Sequence, residues 1–263
     1  MRPAPVLSLL LAPVALAACG SGSHGGPAST APATAAAGSP QQELADVQAA
    51  LRGVRTFHVA GTQLAADGLL TMSGDVTSNG AVDLTVSQGG AAVRIRIVGH
   101  DVYLRASRAF WLAHRTTAAT ADALAGRWVR APADKGVVSL ARQLAPQTLA
   151  HCTTVNTGTM RSAGTTAFLG RPVRVLVAAG DAPGSSPGRL FIAARGRPLP
   201  VRVLQTGPTR PGGTRDPLCD SDGPDTTRRS DLRLSRYDAP VHITAPRNVL
   251  NLQSLAQRGG SAS

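Results

Sequence analysis

From Thr56 to Arg105, apolar and polar residues alternate with a period of two, and turn residues cut the alternation at short intervals. Thr56–Ala66 is the first run, and Asp67-Gly68 closes it. Leu70, Met72 and Val76 then alternate with Thr71, Ser73, Asp75 and Thr77 as far as Asn79-Gly80. Val82, Leu84 and Val86 alternate with Asp83, Thr85 and Ser87 as far as Gly89-Gly90. Val93, Ile95 and Ile97 alternate with Arg94 and Arg96, and Gly99-His100-Asp101 leads into Val102–Arg105. Asp-Gly and Asn-Gly supply the positive φ that a two-residue hairpin requires. The pattern predicts an antiparallel meander of about five strands with one apolar and one polar face.

The period differs on either side of this block. In Gln41–Val54, Leu44, Val47, Leu51 and Val54 recur at helical spacing, which predicts an amphipathic helix with one apolar stripe. Phe110–Gly126 reads as partly helical. Val137, Leu140, Ala141 and Leu144 predict a helix over Val137–His151 that is interrupted at Pro146. Strand periodicity returns in Thr165–Leu169, Pro172–Ala179, Arg189–Ala194 and Leu199–Thr206, a second meander. Thr209–Arg229, rich in Pro, Gly and Asp, reads as a long exposed loop, Asp231–Asp238 as a last strand and Asn248–Gln257 as a short terminal helix. Helix, meander, helical middle and meander together predict an α+β fold: a curved antiparallel sheet with helices packed on one side.

Composition narrows the class. Aromatic residues make up only 3% of the 263 residues, so the core must be built from Val, Leu, Ile and Ala. The formal charge is +12, and Lys135 is the only lysine. This surplus lacks the interleaved aromatics of a stacking platform, and nucleic acid is not expected as a partner. A basic surface is compatible with simple solvation or with anionic lipid headgroups.

The N-terminus supplies an address. Arg2 is followed by an apolar stretch, Val6–Ala17, too short to cross a bilayer as a permanent helix. It ends in Leu16-Ala17-Ala18-Cys19, the lipobox pattern of bacterial lipoproteins, in which Cys19 takes a diacylglycerol thioether through its thiolate. Residues 1–18 are thus expected to be a signal peptide and 19–40 the lipidated cysteine with a disordered tether. Residues 41–250 would form a single domain and 251–263 a C-terminal tail. The expected location is the extracytoplasmic face of the cell membrane. There Cys152 and Cys219 remain as an even pair, either two buried thiols or, as expected in an oxidising compartment, a disulfide. A disulfide closing so long a loop would contribute about 4 kcal/mol in the chain-entropy picture.

No catalytic constellation emerges. Gly184-Ser185-Ser186-Pro187-Gly188 matches GxSxG but has neither the strand before nor the helix after that a nucleophile elbow needs. Gly20, Gly22 and Gly25 match GxGxxG inside the tether and carry no dinucleotide signal. The histidines show no paired metal-ligand spacing, and His58 and His242 read as structural imidazoles within strands. Asp216, Asp220, Asp222 and Asp225 lack the bidentate glutamate of a calcium loop and read as a solvated acidic turn. No metal, cofactor or enzymatic activity is expected.

Several short segments, in order, resemble the actinobacterial LppX/LprA/LprF/LprG-type lipoproteins. They are Thr56-Phe57-His58, the three hairpin turns above, Val102-Tyr103-Leu104 with Trp111, and Gly126-Arg127-Trp128-Val129. Leu199-Pro200-Val201-Arg202 and Tyr237–Pro246 complete the set, so the resemblance spans Gln41 to Pro246. It implies a LolA/LppX-like half-barrel with helices laid on its concave side. It also implies a carrier that binds acylated lipids or glycolipids between sheet and helices and moves them outward, with an envelope transporter as a further partner. The Cys152/Cys219 pair and the Thr209–Arg229 loop have no counterpart in that pattern.

Leu70, Met72, Val76, Val82, Leu84, Val86, Val93, Ile95 and Ile97 are the candidate wall for such a ligand. At about 0.8 kcal/mol per buried methylene, one long acyl chain gains on the order of ten kcal/mol before ordering costs. Two alternatives stay open. The same residues can meet the helices in a filled core, leaving a scaffold module that binds an envelope protein or cell-wall polymer. The third is a hydrolase built on Ser186.

Overall fold

The computed structural model describes residues 38–65, 68–131, 144–152, 158–212 and 229–251. Its first element, α1 (Pro40–Arg52), begins where the sequence supplies a start signal: the Ser39 hydroxyl accepts from the Gln42 N–H and Pro40 occupies the first turn. Leu44, Val47 and Leu51 form its buried stripe, and the helix stops at Gly53. Val54 follows as buried chain rather than helix.

The first meander follows the turn signals closely: β1 (Thr56–Ala65), β2 (Gly68–Thr77), β3 (Val82–Gln88), β4 (Ala91–Val98) and β5 (Asp101–Ala106). Gly89 and Gly90 both have positive φ and join β3 to β4 as a two-residue hairpin loop, with Gln88 opposite Ala91. Two short helices come next, α2 (Arg108–Ala113) and α3 (Ala118–Leu124), each capped by a hydroxyl, from Ser107 and Thr117. A strand absent from the sequence expectation, β6 (Trp128–Ala131), then pairs antiparallel with β5.

The predicted central helix is interrupted at Pro146, as expected. Leu144 is helical, the chain bends at Ala145, and helix resumes as α4 (Pro146–Cys152), which Pro146 can start because a first-turn residue needs no hydrogen-bonded N–H. Residues 137–143 of that prediction lie outside the described residues. The second meander comprises β7 (Met160–Phe168), β8 (Arg171–Ala178), β9 (Gly188–Ala193), β10 (Pro200–Gln205) and β11 (Arg229–Ser235). β7 is longer than the periodicity suggested because it is an edge strand with most side chains exposed, so no alternation marks it. β11 ends earlier than expected, because Arg236 and Asp238 adopt left-handed conformations and turn the chain. The expected terminal helix is also corrected. Asn248 is left-handed, and Leu250–Asn251 forms β12, parallel to the open edge of β6. Residues 252–257 of that prediction, and residues 213–228 of the long loop, lie outside the described residues.

All described strands belong to one curved sheet, ordered β12-β6-β5-β4-β3-β2-β1-β11-β10-β9-β8-β7. The two meanders meet along β1 and β11, in register from His58 opposite Ser235 to Leu64 opposite Arg229. Two in-strand glycines sit beside that seam. A Cβ on Gly74 would lie 2.2 Å from the Asp83 carbonyl oxygen and 2.6 Å from the Leu84 Cα. A Cβ on Gly61 would lie 2.0 Å from the Asp231 carbonyl oxygen. The neighbouring backbones therefore close over positions where only glycine fits, as tight sheet curvature requires.

The helices α1–α4 lie on the concave face of this half-barrel. Their buried residues join one core with the inward side chains of the strands: Leu44, Val47 and Leu51 from α1, Trp111 from α2, Ala121 and Leu124 from α3, and Ala150 from α4. A smaller cluster of Val173, Val175 and Phe191 occupies the opposite face of β8 and β9, where the Arg202 guanidinium lies over Phe168 and Phe191.

Candidate functional site

The strand register brings the nine candidate wall residues together. Met72, Val86 and Val93 form one cross-strand row, and Val76, Val82 and Ile97 another. Between them Gly74, Leu84 and Ile95 form a third, extended by Leu104 and Val129. Directly opposed residues share a face, so the rows make a continuous apolar surface across β2–β6. Val76 and Leu84 are 0% exposed, Val82 1%, and Met72, Val93, Ile95 and Ile97 7% each. Leu70 and Val86 are partly buried against the same cluster. Phe57 and Val59 of β1, which were not among the expected wall residues, complete it. Within this apolar surface the Trp111 indole N–H is a buried donor with no acceptor.

The outward face carries the charge. Asp83 accepts from Arg94 Nε at 2.6 Å and from Arg96 Nη2 at 2.5 Å, and Arg96 also donates to the Thr244 carbonyl and lies over the Trp128 ring. Burial pushes the Asp83 carboxyl up, but the bonds from both arginines outweigh it and hold the group below the ordinary carboxylate range. A lowered folded-state pKa means that the contribution of Asp83 is complete above about pH 5 and fades as the pH falls through the lowered value. Asp83→Asn is therefore expected to destabilise by about 1–3 kcal/mol at pH 7. Its urea midpoint should converge on that of the wild type as the pH drops towards 3, and a gap independent of pH would contradict this role. His58 is satisfied by Asp75 Oδ1 at 2.8 Å and Ser73 Oγ at 3.2 Å, as a structural imidazole should be. His242 is not in a strand: it lies exposed in the irregular segment after Asp238.

The remaining sequence candidates separate. Ser186 sits in the β8–β9 loop, where its hydroxyl shares a hydrogen bond with Thr209 Oγ1 at 2.8 Å and accepts one from Gln205 Nε2. Cys152 ends α4. Cys219, Cys19 and the four aspartates from Asp216 to Asp225 lie outside the described residues. Among the described residues, no group of three His, Cys, Asp or Glu side chains is placed to hold a metal ion. Likewise, no described helix is long and apolar enough to cross a membrane.

A polar feature that periodicity did not reveal lies on the other side of α1. An open cleft of about 580 Å³ is lined by Asp46, Ala49 and Ala50 of α1, Arg174 of β8, and Gly196 and Arg197 of the β9–β10 loop. Arg174 Nη1 approaches Glu43 Oε1 at 3.7 Å, and Glu43 is 2% exposed. Arg197 donates to the Ala50 carbonyl and to Asp238 Oδ2. Asp238 in turn accepts the Arg55 N–H at 2.7 Å, and its own N–H donates to the Thr56 carbonyl. Tyr237 donates to the Pro200 carbonyl at 2.5 Å, and burial pushes its phenol pKa strongly upward. Tyr237-Asp238 thus clasps the α1–β1 link to the β9–β10 loop. The signal for Glu43 was present in the sequence: it stands at helical spacing from Val47, on the apolar stripe.

Neither a protein-family model nor a curated protein matches the chain. Solved structures do. The lipoprotein LppX of Mycobacterium tuberculosis aligns with a TM-score of 0.50 at 15% identity, over 78% of this chain and 98% of its own. LprF of Mycobacterium bovis aligns with a TM-score of 0.52 at 17% identity, over 80% of this chain and 99% of its own. The likeness is one of fold, an LppX-like half-barrel matched over nearly the whole length of both of those chains.

Proposed function

We propose that this chain is a membrane-anchored lipoprotein that binds acylated lipids or glycolipids on the concave face and assists their transfer across the cell envelope. The observation that carries the proposal is the unbroken apolar surface of β2–β6, built from Met72, Val76, Val82, Leu84, Val93, Ile95 and Ile97 and roofed by short helices rather than by a second sheet. The resemblance to LppX/LprF-type lipoproteins adds the expectation of an acyl ligand. No chemical step is assigned: the role is that of a carrier, held near its source by a lipid on Cys19 and working with an envelope transporter. In this reading α2 and α3, of six and seven residues, yield to admit the ligand, since helices this short are stable only through their packing. Cys152 and Cys219 are proposed to be paired, which would tie α4 to the long loop.

Mass spectrometry of the protein purified from native membranes tests these points together. The expected spectrum shows a co-purifying acyl lipid, a diacylglyceryl-modified Cys19 and a mass lower by the two hydrogens of a disulfide. Recovery of the intact protein with no acyl lipid would overturn the carrier proposal.

One observation favours a second reading. Seven of the nine wall residues are already less than 10% exposed. A core filled to that degree suits a scaffold module that binds an envelope protein or a cell-wall polymer through its basic surface. In-cell crosslinking that recovers a single protein partner, with no lipid in the mass spectrum, would support that alternative.

A further inference from the structure

Charge on the outward face of the sheet is divided unevenly between the two meanders. On the first, the aspartates are matched by cations: Asp83 holds Arg94 and Arg96, Asp101 holds Arg130, and Asp75 faces His58 and Arg236. On the second, register places six arginines on the face that also carries Val175 and Phe191. They are Arg161 of β7, Arg171 of β8, Arg189 of β9, Arg202 of β10, and Arg229 and Arg233 of β11. Among the described residues Asp231 is the one carboxylate of these five strands on that face, and Arg202 takes both of its oxygens at 2.7 Å. The other five arginines are exposed and have no ion-pair partner among the described residues.

Arg233 stands directly opposite Arg202, a position in which like charges destabilise a sheet. The excess therefore does nothing for the fold. Strands about 4.8 Å apart spread it over roughly 20 Å instead of gathering it round a pocket. That spread discriminates between partners. A small anion would meet one or two of these groups. A nucleic acid would need exposed aromatics to stack its bases, and Phe191 lies under Arg202, 8% exposed. An extended layer of anionic headgroups meets all of them. Leu64 and Leu69 share this outward face, paired across β1 and β2, and are 38% and 55% exposed, with Arg229 directly opposite Leu64. Protruding leucine beside arginine suits a bilayer interface, where the apolar side chain enters and the guanidinium stays among the phosphates.

We infer that the outward face of β7–β11, with Leu64 and Leu69 beside it, docks on an anionic lipid surface. The inference goes beyond the carrier proposal and needs no acyl ligand in the core. Residues 38–263 form a compact unit of their own, so this piece can be assayed without the anchor. Co-sedimentation would use vesicles of phosphatidylcholine alone and of phosphatidylcholine mixed two to one with phosphatidylglycerol, with polyglutamate as a polyanion that is not a lipid. Binding is expected to the mixed vesicles only, and to weaken as salt rises.

Arg189→Gln combined with Arg233→Gln should weaken that binding about twenty-five-fold, about fivefold for each charge. Arg52→Gln combined with Arg127→Gln removes the same charge from α1 and from the turn before β6, and should change it less than about twofold. Leu69→Ser should weaken it several-fold and leave its salt dependence intact. Equal losses in the two double variants, equal binding to neutral vesicles, tighter binding to polyglutamate than to the mixed vesicles, or no vesicle binding at all would each overturn the inference. None of these results bears on the carrier proposal, which the recovered lipid decides.

Discussion

Gly74→Val is expected to destabilise the domain by about 3–5 kcal/mol, among the larger effects of any single substitution in this chain. The cause is the first carbon of the side chain, not its branches. A Cβ at position 74 would stand 2.2 Å from a backbone carbonyl, a contact that no rotamer relieves. Gly74→Ala should therefore cost nearly as much as Gly74→Val. The control is Gly80→Ala, at a turn where φ is +84° and nothing lies within 4 Å of the new carbon. Only the left-handed backbone penalises that change, by about 1–2 kcal/mol. Urea midpoints of the three variants at constant slope decide the matter. If Gly74→Ala stays within about 0.5 kcal/mol of wild type, the ordinary scatter of surface substitutions, the tight approach of β2 to β3 is wrong.

Asp238→Ala is expected to cost about 2–4 kcal/mol, because it releases two donors together and leaves an alanine in a left-handed conformation. The Arg55 N–H beside it, aided by Arg197, holds the Asp238 carboxyl below the ordinary carboxylate range, against the opposing pull of desolvation. The stabilisation it contributes is thus present above the ordinary carboxylate pKa and lost as the pH falls through the lowered one. Asp238→Asn keeps an acceptor for Arg55 and tolerates the backbone, so it should retain more than half of the stability and flatten the acid limb of the pH profile. Equal losses for Asn and Ala, with the acid limb unchanged, would remove the clasp from its proposed role.

The first meander was legible in the sequence because two physical signals coincide there: alternation of period two, and turns such as Asn79-Gly80 and Gly89-Gly90 whose backbone demands glycine. β7 and β12 were not legible. An exposed edge strand has no face to bury, and a two-residue strand owes its existence to the partner edge. The break at Pro146 was legible for the same reason: helix stops just before a proline and can start again on it. The apolar wall could be read residue by residue, since inward placement follows from alternation alone. Its degree of filling could not, because that depends on where α1–α4 settle. Glu43 and Arg174 lie on different elements far apart in the chain, and only the laying of α1 across β8 makes them a pair.

The β1–β11 seam bears on the order in which the chain can fold. β1 is among the first elements synthesised, and its partner Arg229–Ser235 comes after almost all the others. The tight hairpins from β1 to β5 and from β7 to β10 close locally and quickly, whereas this pairing must close a loop spanning most of the domain. Until β11 arrives, β1 presents an unpaired edge that carries the close-approach glycine Gly61. Two half-sheets, each foldable from its own neighbours, therefore wait on one late join. The nascent protein is most vulnerable to mispairing in that interval, and the seam marks the step that a chaperone or a slow-growing chain would have to protect.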